Sequence, residues 1–274
     1  MALIVRRPPP ALAGVVRAIT YQSGEQTETS RERILPGATV SLWVNLNQDE
    51  FRSYSGADYR TVHRAPGAIL AGPADRASVV EIEAGRAHVS VTFAPGAGAA
   101  LFAAPLSAAR NEMVPLQDLW GREGACLRER LLEATTPDDK LRVMAEVLLK
   151  QVAGPLRPDP AVLLAAEALG AGASVSAVSS ELGMLPRTFR RRFLSHVGLT
   201  PKRFARVQRL QRVVQSVRAE SEVNWAAVAA QHGYCDQAHV VDDFRDLVGV
   251  TPTEYLQHRI DGPNHLRLPG ADRP

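Results

Sequence analysis

Val197-Gly198-Leu199-Thr200-Pro201 recurs as Val248-Gly249-Val250-Thr251-Pro252, an offset of 51 residues. Phe193 with Phe244 and Phe204 with Tyr255 keep that offset. Upstream, Ala177-Val178 pairs with Ala227-Val228 and Gly183 with Gly233 at an offset of 50, so one extra residue enters the second copy between Gly233 and Val240. Self-similarity at a fixed spacing marks a duplicated structural unit. In each copy a short helix rich in small residues ends at a glycine that can take positive φ. A tight turn and a second helix follow. That grammar is a helix-turn-helix, whose second helix lies in the DNA major groove.

The second helix of the first copy is expected over about Pro186–His196. Phe189, Phe193 and Val197 recur at i, i+4 and i+8, an apolar stripe that turns to a core. Arg187, Arg190 and Arg191 recur at i, i+3 and i+4 on a different face. Arginine suits that face because its planar fork bonds a guanine edge or a phosphate bidentately. Between residues 187 and 212 stand nine basic side chains and no acid: Arg187, Arg190, Arg191, Arg192, Lys202, Arg203, Arg206, Arg209 and Arg212. An ordinary solvated face mixes signs; a single-sign stretch beside a turn and an apolar stripe points to a polyanion.

Around this repeat, further helices are expected. Ser174 can cap one, and Thr200-Pro201 and Thr251-Pro252 each read as an N-cap followed by proline, with Glu254 completing a capping box. Gly154-Pro-Leu-Arg-Pro-Asp-Pro160 carries three prolines in seven residues and reads as a linker, with Asp159 or Pro160 starting the next helix. Before it the pattern changes. Strands are expected at 40–46, 68–72, 78–83 and 86–93, the last alternating Ala87, Val89, Val91 and Phe93 with polar residues as a half-buried strand does. Helices are expected at 116–134 and 137–152, the second capped by Thr136 ahead of Pro137-Asp138-Asp139. Pro8-Pro9-Pro10 reads as a stiff terminal tail.

Trp225-Ala226, the string Gly233-Tyr234-Cys235-Asp236-Gln237-Ala238-His239, and then Phe244, Gly249-Val250-Thr251-Pro252 and Tyr255 resemble the signature of the AraC/XylS family of bacterial transcription regulators. The likeness covers about residues 160–257 and includes Leu182-Gly183, Pro186-Arg187 and Phe193. It implies two helix-turn-helix units joined by one long helix, here about Pro201–Arg218, with reading helices about 34 Å apart on one duplex face. It places Arg187, Arg190 and Arg191 where the first unit reads bases and Gln237, Ala238, Val241 and Asp242 where the second does; Thr188, Lys202 and Arg203 are also expected to contact the DNA. Two departures stand out. Leu185 occupies a position where a capping residue is usual, a loss of about 1 kcal/mol. Asp242 stands where a basic residue is usual, and residues 213–261 hold three basic side chains against eight acids. An acid can accept from cytosine N4 but repels phosphate. The first unit is therefore expected to supply most of the affinity, and the second orientation or partner contacts. More loosely, Phe93-Ala94-Pro95-Gly96, Leu101-Phe102, Pro105-Leu106, Leu119-Trp120-Gly121 and Leu127–Leu131 resemble the cupin-like β-barrel sensor domain, with trailing helices, of some of these regulators.

The chain has 274 residues, 45% of them hydrophobic and 22% charged, with net charge +3, a composition suited to two packed domains. Nothing approaches the ~18 apolar residues of a membrane span, and the first residues lack the apolar core of a secretion signal. Two cysteines give neither a disulfide framework nor zinc spacing, so a cytoplasmic location is expected. Cys126 is expected buried and inert rather than a thiol sensor tuned by Arg128 and Arg130. Cys235 is expected in a turn, Trp225 in a core and His239 in packing. His63 and His88 lack the partners of a cupin metal site, and no phosphate-binding glycine loop is present.

The resulting expectation is an α+β chain. A β-rich cupin-like barrel with trailing helices spans 1–153, a linker 154–160, an all-α double helix-turn-helix domain 161–260 and a flexible tail 261–274. Its function would be sequence-specific transcription regulation, not catalysis, with double-stranded DNA, RNA polymerase, a small-molecule effector and a second copy as partners and no cofactor. The alternatives are a cupin-like small-molecule binder or enzyme with a vestigial DNA-binding domain, which metal analysis would discriminate, and an architectural binder without sequence preference.

Overall fold

The computed structural model describes residues 2–24, 26–102, 105–152, 158–218, 220, 222–260 and 264–268. Its strands are β1 (Ala2–Arg6), β2 (Val16–Ser23), β3 (Ser30–Ile34), β4 (Ser41–Asn45), β5 (Glu50–Ser55), β6 (Thr61–Pro66), β7 (Ala68–Ala71), β8 (Ser78–Ile82), β9 (Ala87–Phe93), β10 (Met113–Pro115) and β11 (His265–Arg267). They pair antiparallel in two sheets, β1-β2-β9-β4-β7-β10 and β11-β3-β8-β5-β6. The fold is α+β, with the β-rich region first and the helices after it, as expected.

Strand alternation sorts the core. Val89, Val91 and Phe93 pack with Leu42, Val44 and Leu70 and with Leu141, Met144 and Leu148 of the covering helix α4 (Pro137–Lys150). β9 is not half-buried as its pattern suggests, because His88 and Ser90 on its other face are buried too. That face meets the second sheet: Asn45, the register partner of His88, donates to Glu50 O and to Glu83 Oε1.

The helix expected over 116–134 is three, α1 (Leu116–Trp120), α2 (Arg122–Ala125) and α3 (Leu127–Glu133). Gly121 breaks it, at φ 56° and ψ −130°. Cys126 ends α2 and is exposed, correcting the expectation of burial. The guanidiniums of Arg128 and Arg130 turn to Asn45 O and Glu123. Residues 8–10 are not a terminal tail: Ala2–Arg6 before them is an edge strand.

Beyond the linker, whose residues 154–157 lie outside the described ones, Asp159 caps α5 (Pro160–Ala171). Then come α6 (Val175–Glu181), α7 (Pro186–Val197), α8 (Pro201–Ser216), α9 (Trp225–Gln231), α10 (Gln237–Leu247) and α11 (Pro252–His258). Thr136, Ser174, Thr200 and Thr251 cap as expected, Thr251 with Glu254 in a full capping box. Two cores divide this region. Phe189, Phe193, Val197, Phe204 and Val207 form one, and Leu210, Val213, Trp225, Phe244 and Tyr255 the other. Helix α8 feeds both.

The tail expected to be flexible from 261 onward is corrected where it is described: residues 265–267 form β11 on the edge of the second sheet, paired with β3.

Candidate nucleic-acid interface

Each helix-turn-helix unit is built from the repeat. Helices α6 and α9 end near Gly183 and Gly233, at φ 61° and 74°. Helix α7 begins three residues after Gly183 and α10 four after Gly233, so the inserted residue lies in the second turn. Asp236 there accepts from His239 N at 2.8 Å and caps α10, whereas Leu185 makes no such bond.

On α7 the apolar stripe is buried and Arg187, Thr188, Arg190 and Arg191 are exposed. Among the described residues, Arg187, Arg190, Arg191 and the exposed Lys202 take no hydrogen bond or ion pair. The other five cations of the stretch are engaged within the fold. Arg192 binds Asp159, Arg203 binds Asp75 of the β-rich domain, and Arg212 donates to Gly170 O. Arg206 and Arg209 clamp the buried Asp243 at 2.5 and 2.9 Å, and Arg206 also reaches Asp246. Arg209 further lies over the Tyr234 ring, 4.0 Å from its centroid. Burial pushes the Tyr234 hydroxyl up from its ordinary range, with Asp243 adding to the effect. The single-sign run is therefore partly internal: its counter-charges come from distant sequence, which a local window does not contain.

In the second unit Gln237, Ala238 and Asp242 are exposed and Val241 is half-buried. Four of the eight acids counted at 213–261 have structural roles. Asp236 and Glu254 cap helices, and Asp243 and Asp246 neutralise Arg206. Asp242 takes no part in these pairs. Asp261 lies outside the described residues. Trp225 packs edge-on to Phe244, and His239 edge-on to Tyr234, as the packing reading requires.

Leu185 is a feature that sequence reasoning treated only as a missing cap. It is 75% exposed at the head of α7, next to the free cations. An apolar residue at a capping position just before Pro186 was the available signal.

The β-rich domain carries polar groups of its own. His88 lies 4.8 Å from Trp43, ring to ring, and among the described residues neither its Nδ1 nor Glu83 Oε2 has a hydrogen-bond partner. Burial, then the charges of Arg86 and His265, push His88 down to about 3. His63 is exposed and bonds Ser55 Oγ. Among the described residues no group of three or more His, Cys, Asp or Glu could hold a metal ion, and no helix is long and apolar enough to cross a membrane.

Residues 178–258 match the model of a helix-turn-helix domain, and residues 5–115 that of a domain of unknown function (DUF6597). No curated protein sequence matches. Among solved structures, ToxT from Vibrio cholerae aligns at 13% identity over 87% of this chain and 97% of its own, with a TM-score of 0.44. An unsaturated fatty acid-bound ToxT aligns at 10% identity over 92% and 96%, TM-score 0.42. The AraC-like transcriptional activator CuxR aligns at 17% identity over 80% and 87%, TM-score 0.27.

Proposed function

With residues 178–258 matching a helix-turn-helix domain, we propose that the chain is a sequence-specific, DNA-binding transcription regulator of the AraC type whose β-rich domain senses a small effector. The observation that carries the reading is the arrangement on α7. Its core side is fully packed while Arg187, Arg190 and Arg191 stay exposed and unpaired in a fold that engages most neighbouring cations. Unpaired guanidiniums beside a helix N-terminus are the donors that phosphates and guanine edges accept from.

In this reading Thr188 and Lys202 add phosphate contacts, and Leu185 meets a thymine methyl in the groove. The first unit supplies most of the affinity. Gln237, Ala238, Val241 and Asp242 of the second set orientation, Asp242 by accepting from cytosine N4. That four of the eight acids at 213–261 serve as caps or ion-pair partners supports a working rather than a vestigial unit. Glu83 Oε2 and His88 Nδ1, buried without a hydrogen-bond partner among the described residues, support an effector site beside Trp43 and Asn45. The protein acts in the cytoplasm, without catalysis, as a homodimer or against RNA polymerase on the DNA. The test is binding to the DNA upstream of its own gene against a shuffled duplex. Equal affinity for both would reduce the claim to nonspecific binding.

A further inference from the structure

The two domains are joined by more than the linker. After α11 the chain returns to the β-rich domain. Its strand β11 completes the edge of the second sheet, with His265, Leu266 and Arg267 opposite Ile34, Arg33 and Glu32. Leu266 is buried in the core of the second helix-turn-helix unit, and Leu35, one residue past β3, is buried in that same core. Leu268 packs on Tyr54 and Val79 of the sheet. His265 Nδ1 lies 2.6 Å from Glu32 Oε2. Ala77 N donates to Leu247 O at the end of α10, and Gln211 Nε2 donates to Pro36 O. The second unit is thus strapped to the sensor sheet.

The first unit has its own attachment. The C-cap of α7, Gly198, sits so close that a Cβ there would stand 2.5 Å from Pro73 Cγ and 2.7 Å from Leu106 O. Beside it Arg203 pairs with Asp75, which is 4% exposed. Asp75 is held ready: Asn111, at φ 60°, receives the Asp75 N–H on Oδ1 and donates Nδ2 to Asp75 Oδ1. Burial alone would raise Asp75. The hydrogen bonds from Asn111 and Arg203, with the charges of Arg203 and Arg110, outweigh it and hold the carboxyl below the usual range.

We propose that this docked arrangement is a DNA-restrained state, latched on the first unit by Asp75–Arg203 and on the second by the β11 strap on β3. The proposal rests on the DNA-binding reading and adds its regulation. The restraint follows from the charges. While docked, Arg203 at the head of α8 is neutralised by a buried carboxylate, and the second unit cannot shift relative to the sensor. Release returns one cation to the DNA face and lets both reading helices adjust to the duplex. The strap is suited to release, since it is three residues long and lies at a sheet edge.

Full-length protein tests this against its upstream DNA over a salt series. Asp75→Asn keeps the shape and the Asn111 bonds but frees Arg203. We expect binding tighter by about eightfold at 0.1 M salt and a salt slope steeper by about 0.9, the value of one phosphate contact. The gain should vanish in Asp75→Asn/Arg203→Ala. For the strap, Ile34→Cys/His265→Cys is made with Cys126→Ser and Cys235→Ser. Oxidised, it should bind at least about tenfold more weakly than the same protein reduced, the reduced form serving as its own folding control. Unchanged affinity and slope in Asp75→Asn, or equal binding of the oxidised and reduced forms, overturns the proposal while wild-type discrimination between promoter and shuffled DNA leaves the regulator reading standing. If no form discriminates, the regulator reading itself has failed, and this proposal with it.

Discussion

Arg190 and Arg191 illustrate how a side chain gains meaning from what it does not touch. Five of nine cations in the stretch have partners inside the fold, so charge alone does not single out a DNA contact; exposure without a partner among the described residues is what selects Arg190 and Arg191 as the proposed contacts. Arg190→Ala/Arg191→Ala should lower affinity and reduce the salt slope by about two phosphate contacts' worth, while Gln237→Ala should cost less. A larger loss from Gln237→Ala would contradict the division of labour between the units. Leu185→Ala should weaken binding to the natural site by roughly 1 kcal/mol and have no effect once deoxyuridine replaces thymidine there, because the 5-methyl group is gone. An equal loss on both duplexes would remove Leu185 from base reading. His88 gives a pH prediction. It is neutral in the fold down to about 3, whereas an ordinary histidine protonates near 6.5. The unfolded chain therefore binds the extra proton, and stability present above pH 6.5 is lost as pH falls toward 3. Thermal melting between pH 7 and 4 should show a shallower decline in His88→Gln than in the natural chain.

At the level of elements, α8 is the spine of the DNA-binding region, and Asp243 is the joint between it and α10. A buried carboxylate held by two arginines cannot lose its charge cheaply, because the arginines are left facing a low-dielectric site. Asp243→Asn should destabilise by about 3 kcal/mol and blur the placement of α10; a melting temperature unchanged within a degree or so would show the cluster to be dispensable. The elements legible from sequence were those with local signatures. Thr136, Ser174, Thr200 and Thr251 marked helix starts, the glycines at 183 and 233 marked turns, and the strands at β4, β7, β8 and β9 had apolar runs bounded by turn residues. What was not legible depended on partners far along the chain. β1 and β11 are strands because other strands accept their hydrogen bonds. Arg203 finds Asp75, and Asp243 finds Arg206 and Arg209, only once the chain is folded. Cys126 stands exposed between the short helices α2 and α3 that replace the expected single helix.

At the scale of the molecule, the β-rich domain and the two helix-turn-helix units share cores, hydrogen bonds and a strand, so a signal in one has a physical path to the other. Leu35 and Ala38 of the first domain lie in the cores of the second and first units. The most direct measurement is titration of the full-length protein against its own upstream DNA and a shuffled duplex, at two salt concentrations. The account predicts a preference of about 100-fold for the upstream DNA that persists at the higher salt, within reach of ordinary specific recognition. Equal binding that disappears with salt, or no binding to either duplex by the natural chain and its unlatched variants, would contradict it.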